Sequence, residues 1–400
     1  MNQHQVISPS HEAAIAVDEV LRGEFGLVGP IPLHAPKFDA SDKEFVNACL
    51  DEGWVSTAGH FVDEFEALIA RACGVKHAIA TTNGTSALHA ALHCIGVTED
   101  DAVLCPALTF IATANAISYT GAAPIFLDSS IADLGIDLEK LSHFLEMECT
   151  HLNAQTWHKK TGRPIKAIVP VHVFGHACDL HALTDICRNW NIAIIEDAAE
   201  ALGSSFDGRP CGGFGTAATL SFNGNKPATT GGGGAIVTND ESLAKRLKHV
   251  TTTAKLPHAW HYDHDEIGFN YRLPSLNAAL GIAQMRKLET IIESKRKIAT
   301  AYESRLSQLA DITWVSEPAK CRSNYWLNAI ILPNAEQRDM FLELTNSRAI
   351  QTRPCWTLIP NTAAYRDAIQ APDLTHARML ESRLVNLPSS PWMLPSQTGQ

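Results

Sequence analysis

Apolar positions in this chain recur at two periods, and the two alternate along most of its length. Residues 10–23 read as an amphipathic helix, with Ser10 suited to cap its first turn. The proline-rich stretch 28–38 reads as extended, and a helix over 41–52 stops at Gly53. HAIAT at 77–81 reads as a strand; Asn83, Gly84, Thr85 and Ser86 turn it into a helix carrying ALHAALHCI. Residues 102–128 read as strand, loop, helix, strand. IKAIVPVHVF at 165–174 reads as one buried strand, 179–190 as a helix and 191–197 as a further apolar strand ending in acids. Two strands around a glycine turn fill 220–237, a helix covers 241–250, and 274–309 is mostly helical. From 326 to 354 strand and helix alternate again. This alternation over 76–237 predicts an α/β domain with a largely parallel sheet. The expected division is an N-terminal helical and extended segment at 1–55, a large domain at 56–285 and a smaller α/β domain at 286–400.

Composition narrows the functional classes. The chain has 400 residues, of which 45% are hydrophobic and 19% charged, ample for a large core and two or three domains. A formal net charge of -11 argues against nucleic acid or an anionic membrane as the main partner, while leaving room for a locally held anionic small ligand. Ten scattered cysteines form no C-x-x-C pair, so no zinc ribbon or thioredoxin-like motif is signalled, and a reducing cytoplasm is the expected compartment. The first residues lack the basic-then-apolar pattern of a signal peptide, and no run has the apolar length of a bilayer span.

Candidate chemistry centres on Lys226, in SFNGNKPATTGGGG. The lysine sits between a strand end and four glycines, Gly231 to Gly234, so a constrained loop presents it. A lysine held away from water loses part of its preference for the charged form and can attack an aldehyde such as pyridoxal phosphate. A phosphate-cradling P-loop is excluded, because Asn225 precedes the lysine and Pro227 follows it. Gly84, Thr85 and Ser86 open a helix and either hold an anion or simply cap it. Phe110 follows a strand end, where its ring either stacks on a flat cofactor or joins the core. Asp197 ends a parallel strand, where a carboxylate needs a partner such as a protonated ring nitrogen. Trp54 lies in a GWVSTAG loop that either lines a pocket or merely joins helices. Arg353 and Trp356, in TRPCW, suit a carboxylate or phosphate. His258, His261 and His264 lack metalloprotease spacing and an accompanying cysteine cluster, so no metal is expected.

NGTS at a helix start, TFIAT, EDAAE at a strand end and SFNGNK before TTGGGG stand in that order. Together they resemble the DegT/DnrJ/StrS sugar aminotransferase family, over nearly the whole chain. SFNGNK…TTGGGG, KHVTTTAK, GFNYRLPSLNAALGIAQM and TRPCW resemble its branch acting on UDP-4-keto-6-deoxy-N-acetylhexosamines, from bacillosamine-type and legionaminic-acid-type pathways. The resemblance implies a fold-type I pyridoxal 5'-phosphate enzyme: a large domain with a mostly parallel sheet flanked by helices, plus a smaller C-terminal α/β domain. It implies that Lys226 forms the Schiff base and shuttles the proton. Asp197 would pair with the pyridinium nitrogen and Phe110 would stack on the ring. Thr85, Ser221 and the backbone at Gly84 and Ser86 would hold the phosphate, and Glu200, where many relatives carry Gln, would lie near the ring oxygen. Asn270 would reach the phosphate of a neighbouring subunit, implying a homodimer with shared sites. The expected substrates are an amino-acid donor, glutamate, and a UDP-linked 4-ketosugar; the alternatives are a GDP- or dTDP-linked sugar, or a non-catalytic relative that binds pyridoxal phosphate. Lys255, Arg272 and Arg353 are the candidate phosphate partners of that sugar. Trp54, Trp260, Tyr271 and Trp356 are candidates for its flat and small apolar parts.

Overall fold

The computed structural model describes residues 8–57 and 59–394. An eight-stranded sheet runs in the order His77–Thr81, Gly234–Thr238, Ala217–Ser221, Ala193–Asp197, Ile165–Ile168, Ala102–Pro106, Ala123–Leu127, Ile369–Gln370. Gly234–Thr238 runs against both its neighbours, and every other pairing is parallel. Helices cover the sheet, so a strand such as Ala102–Pro106 is buried throughout. That is why these strands read as continuous apolar runs and not as alternating ones.

The sheet's arrangement gathers several chain ends at one edge. The strands ending in Thr81, Pro106, Asp197 and Ser221 point the same way, and the reversed strand starts there, with Gly234 opposite both Ser221 and Thr81. In open α/β sheets this carboxyl edge is where ligands bind.

Local chemistry explains the element boundaries. The first helix begins at Pro9, with Ser8 and not Ser10 in the cap position, and passes from α-helix Pro9–Asp18 into a π-helical turn, Glu19–Glu24. Ser10 is instead buried inside it. Helix Ala40–Glu52 starts at a capping box between Asp39 and Asp42 and stops at Gly53, whose φ of 75° suits glycine. The run 165–174 is not one strand. It leaves the ladder after Ile168, because Pro170 has no N–H to donate, makes one bridge from Val171 to Asp197, and turns at Val173–Gly175.

Residues beyond 286 serve two cores. Ile369–Gln370 extends the main sheet, and Leu374 and Leu380 pack into the large core. A second core sits on a four-stranded sheet of Thr313–Trp314, Asn328–Ile331, Leu384–Leu387 and Arg353–Pro354. The first helix supplies Val17 and Leu21 to it, against Tyr302, Phe341 and Ile330. Each such side chain contributes about 1.5–3 kcal/mol when fully buried. No helix among the described residues is long and apolar enough to cross a membrane.

Candidate active site

At the carboxyl edge the strand ends enclose a cavity of about 380 Å³. Lys226, Asp197, Glu200, Thr85, Ser221 and Phe110 all line it. Lys226 reaches it from a loop closed on itself. The Lys226 N–H donates to the Asn223 carbonyl at 2.9 Å, the Thr230 N–H donates to the Phe222 carbonyl at 2.9 Å, and the Phe222 N–H donates to the Gly233 carbonyl at 2.8 Å. Gly231, at φ 79°, makes the turn.

The lysine side chain is only 11% exposed. Its amine donates to Glu200 Oε1 at 3.2 Å and lies 3.5 Å from the centroid of the Trp326 ring. Glu200 Oε2 accepts the Phe174 N–H at 2.9 Å, an approach that depends on Phe174 adopting a φ of 56°. Burial pushes the Glu200 carboxyl up from its ordinary value, while the Lys226 charge and the Phe174 N–H pull the other way.

Asp197 has a fixed orientation. Thr113 Oγ1 donates to its Oδ2 at 2.8 Å, and the Ala199 N–H donates to its Oδ1 at 3.2 Å. The Thr113 hydroxyl also meets that of Thr109 at 3.1 Å, four residues earlier.

At the start of helix Gly84–Cys94, Asn83 Oδ1 accepts the Ser86 N–H at 2.8 Å and the Asn83 carbonyl accepts the Ala87 N–H at 3.1 Å. Ser86, expected to offer its N–H to a ligand, thus offers it to the cap. Gly84 and Thr85 line the cavity with N–H groups that have no partner inside the helix. A Cβ at Gly84 would lie 3.1 Å from Ser221 Cβ and narrow the space between helix start and strand end. Phe110, 55% exposed, stands 6.4 Å from the ring of Trp356, which packs 5.1 Å from Phe174.

Trp356 is among the lining residues, whereas Trp54, Lys255, Asn270, Arg272 and Arg353 are not. Asn270 Oδ1 accepts from Arg272 Nε at 3.1 Å. Lys255 lies over the Tyr262 ring at 4.0 Å, and Arg353 donates to Asn346 Oδ1 at 3.0 Å. Trp54 is 60% exposed. Sequence reasoning missed Thr113 and Trp326. The first had a signal, a second threonine one helical turn after Thr109; the second had none, sitting in a run that reads as strand. It also missed a surface group, His249, Asp265 and Glu266, whose atoms could converge on an ion. Arg246 already engages both oxygens of that glutamate, at 2.8 and 3.0 Å.

The sequence pattern of the DegT/DnrJ/EryC1/StrS aminotransferase family matches residues 36–399. The chain belongs to that family. Among its DegT/DnrJ relatives, GDP-perosamine synthase of Escherichia coli O157:H7 is 36% identical, over 90% of this chain and 93% of that protein. GDP-perosamine synthase of Vibrio cholerae is 33% identical, over 92% and 96%. The crystal structure of a DegT DnrJ EryC1 StrS aminotransferase from Brucella abortus superposes with a TM-score of 0.80 at 31% identity, covering 88% of this chain and 91% of that one. The chain is therefore a sugar aminotransferase of fold type I that uses pyridoxal phosphate. The cavity's residues fit that cofactor. It offers a primary amine, a carboxylate with lone pairs beyond those its two donors use, and the two backbone N–H groups of Gly84 and Thr85, where the glycine leaves space for a phosphate.

Proposed function

We propose that this DegT/DnrJ enzyme transfers the amino group of an amino acid, glutamate, to C4 of a nucleotide-linked 4-keto-6-deoxy sugar. The observation that carries the reading is one cavity shared by the Lys226 amine, the Asp197 carboxylate and the start of helix Gly84–Cys94. When bound, pyridoxal phosphate supplies an aldehyde that carries the amino group and a ring that withdraws electrons. Lys226 Nζ would anchor the cofactor, take the proton from the donor's α carbon and deliver it to the carbon that carried the aldehyde. Asp197, held by Thr113, keeps a proton on the ring nitrogen. Gly84, Thr85, Ser221 and the capped turn at Ser86 orient the phosphate, and Phe110 covers a ring face. Glu200 steadies the lysine by accepting from its amine at 3.2 Å.

Two observations bear on the acceptor. Relatives named for making GDP-perosamine, at 36% and 33% identity, support a GDP-linked sugar. The motifs around Lys226, Asn270 and Arg353 support the UDP-linked 4-keto-6-deoxy-N-acetylhexosamine expected from sequence. The GDP-linked reading leads, since it rests on alignment of nine-tenths of the chain. Two copies form the working unit, with Asn270 serving the partner's phosphate. The exposure of Trp260, Tyr262 and Ile267 on the same loop, at 74%, 79% and 85%, supports burial there by a second copy.

The test is direct. Purified wild type takes up pyridoxal phosphate and turns yellow, glutamate bleaches it, and a ketosugar restores the colour. Lys226→Ala loses the colour and the transfer. GDP- and UDP-linked 4-keto-6-deoxy sugars are offered side by side; a faster return with the UDP-linked compound reverses the ranking. No return with any nucleotide-linked ketosugar sinks the proposal.

A further inference from the structure

The Lys226 amine has a second neighbour, the Trp326 indole. We infer that Trp326 is a positioning residue for Lys226: its indole face holds the ammonium and its indole N–H holds the lysine's loop. The inference rests on Lys226 being the reactive amine, as proposed above.

Three observations converge on it. Lys226 Nζ lies 3.5 Å from the ring centroid, well inside the roughly 6 Å within which an aromatic face attracts a cation, and tryptophan is the strongest such face. The pair is secluded, with the lysine side chain 11% and Trp326 4% exposed. Seclusion strengthens the attraction. Trp326 Nε1 also donates to the carbonyl of Asn225, the residue before the lysine, at 2.6 Å. One side chain thus touches both the amine and the loop that carries it.

The indole is itself held on its backbone. Asn324 Oδ1 accepts the Trp326 N–H at 2.8 Å, and the buried Lys295 amine donates to the Trp326 carbonyl at 3.0 Å. Asn324 Nδ2 donates to the carbonyls of Glu200 and Leu202, both at 2.9 Å. The two neighbours of the Lys226 amine, Glu200 and Trp326, therefore hang on a single asparagine. They differ in chemistry. Glu200 can accept the lysine's proton, whereas an aromatic face attracts the ammonium without accepting a proton. A lysine that lets go of its cofactor and returns in each cycle gains a resting place that keeps both its charge and its position.

The test is trace labelling of the full-length, cofactor-free chain with acetic anhydride, read at Lys226 by peptide mass spectrometry against exposed Lys245 as internal reference. At pH 8, Trp326→Leu should raise labelling of Lys226 roughly 3- to 30-fold, the factor a desolvated cation–π contact carries. Trp326→Phe, which keeps a weaker face, should fall in between. The excess should be smaller at pH 11, where lysine amines in general lose their protons, than at pH 8. Wild-type labelling in Trp326→Leu at pH 8 overturns the inference. So does an excess as large at pH 11 as at pH 8, which marks lost cover and not lost charge stabilisation. Should the leucine variant fail to unfold cooperatively, Trp326→Phe alone decides: a smaller rise supports the inference and a wild-type rate overturns it. Labelling is independent of turnover, so loss of the Lys226 reading in the Lys226→Ala transfer assay is distinguishable from loss of this one.

Discussion

A single hydroxyl, Thr113 Oγ1, fixes the orientation of Asp197 at 2.8 Å, and no other side chain among the described residues donates to that carboxylate. Thr113→Val keeps the shape and removes the donor. Hydrogen bonds to charged groups are worth about 1.5–3 kcal/mol, and the Thr109 hydroxyl loses its partner as well. The variant should therefore bind pyridoxal phosphate roughly 10- to 100-fold less tightly, with Thr113→Ser restoring most of the affinity. Equilibrium dialysis of cofactor with the three proteins checks this, and wild-type affinity in the valine variant would contradict the role. The comparison also shows what a sequence reveals about a site. Lys226, Asp197 and Phe110 were legible because each stands at or just past a strand end, and strand ends are written in apolar runs; Ser221 came only with the family resemblance. Thr113 and Trp326 were not legible in that way. Their roles depend on which atoms they face across the fold, at separations of 84 and 101 residues from the groups they bond.

The glycines after the lysine show how an element, and not a residue, sets the site. Gly234 starts the reversed strand between Thr81 and Ser221, against the start of helix Gly84–Cys94. A Cβ there would overlap the Asn83 carbonyl and come within 2.6 Å of the Gly84 nitrogen. Both are backbone, so the helix start must move. Gly234→Ala should destabilise the protein by about 1–3 kcal/mol and loosen phosphate binding with it. At Gly232 a Cβ meets nothing within 4 Å, and Gly232→Ala should stay within about 0.5 kcal/mol of wild type. Denaturant unfolding of both variants checks the pair; equal stability would remove the packing argument. The same scale explains which elements were readable. Parallel strands such as Ala193–Asp197 and helices with strong caps, such as Leu180–Asn189 behind Asp179, stood out by apolar run and cap chemistry. The break after Ile168 did not, since VPVHVF is as apolar as a strand and only Pro170 marks the exit. Helix Leu138–Glu148 and the hairpin Cys149–Leu152 with Gln155–His158 escaped because their exposed faces dilute the apolar signal.

At the scale of the whole molecule, the polar loop bearing Asn270 and Arg272 lies outside the lining of its own cavity. Thr252 and Asn270 form a bridge that pins the loop to the end of helix Glu241–Thr251, and the Tyr271 carbonyl accepts the Thr82 N–H at 2.8 Å, beside the start of helix Gly84–Cys94. The loop is thus rigidly seated at its base, while Trp260, Tyr262 and Ile267 remain outside. In the proposed dimer a two-fold axis through this surface carries each loop to the other chain, because an isologous contact repeats every interaction. The consequence is measurable by complementation. Lys226→Ala and Asn270→Ala chains, each of low activity alone, are unfolded together, refolded and purified as mixed dimers by two different tags. If Asn270 serves the partner, both defects fall in one of the two composite sites and the other is wild type. Mixed dimers should then recover about half the wild-type turnover per dimer. If Asn270 serves its own chain, each site of the mixed dimer keeps one defect and turnover stays at the level of the separate variants. A monomer at working concentration, seen by sedimentation, would remove the shared site altogether.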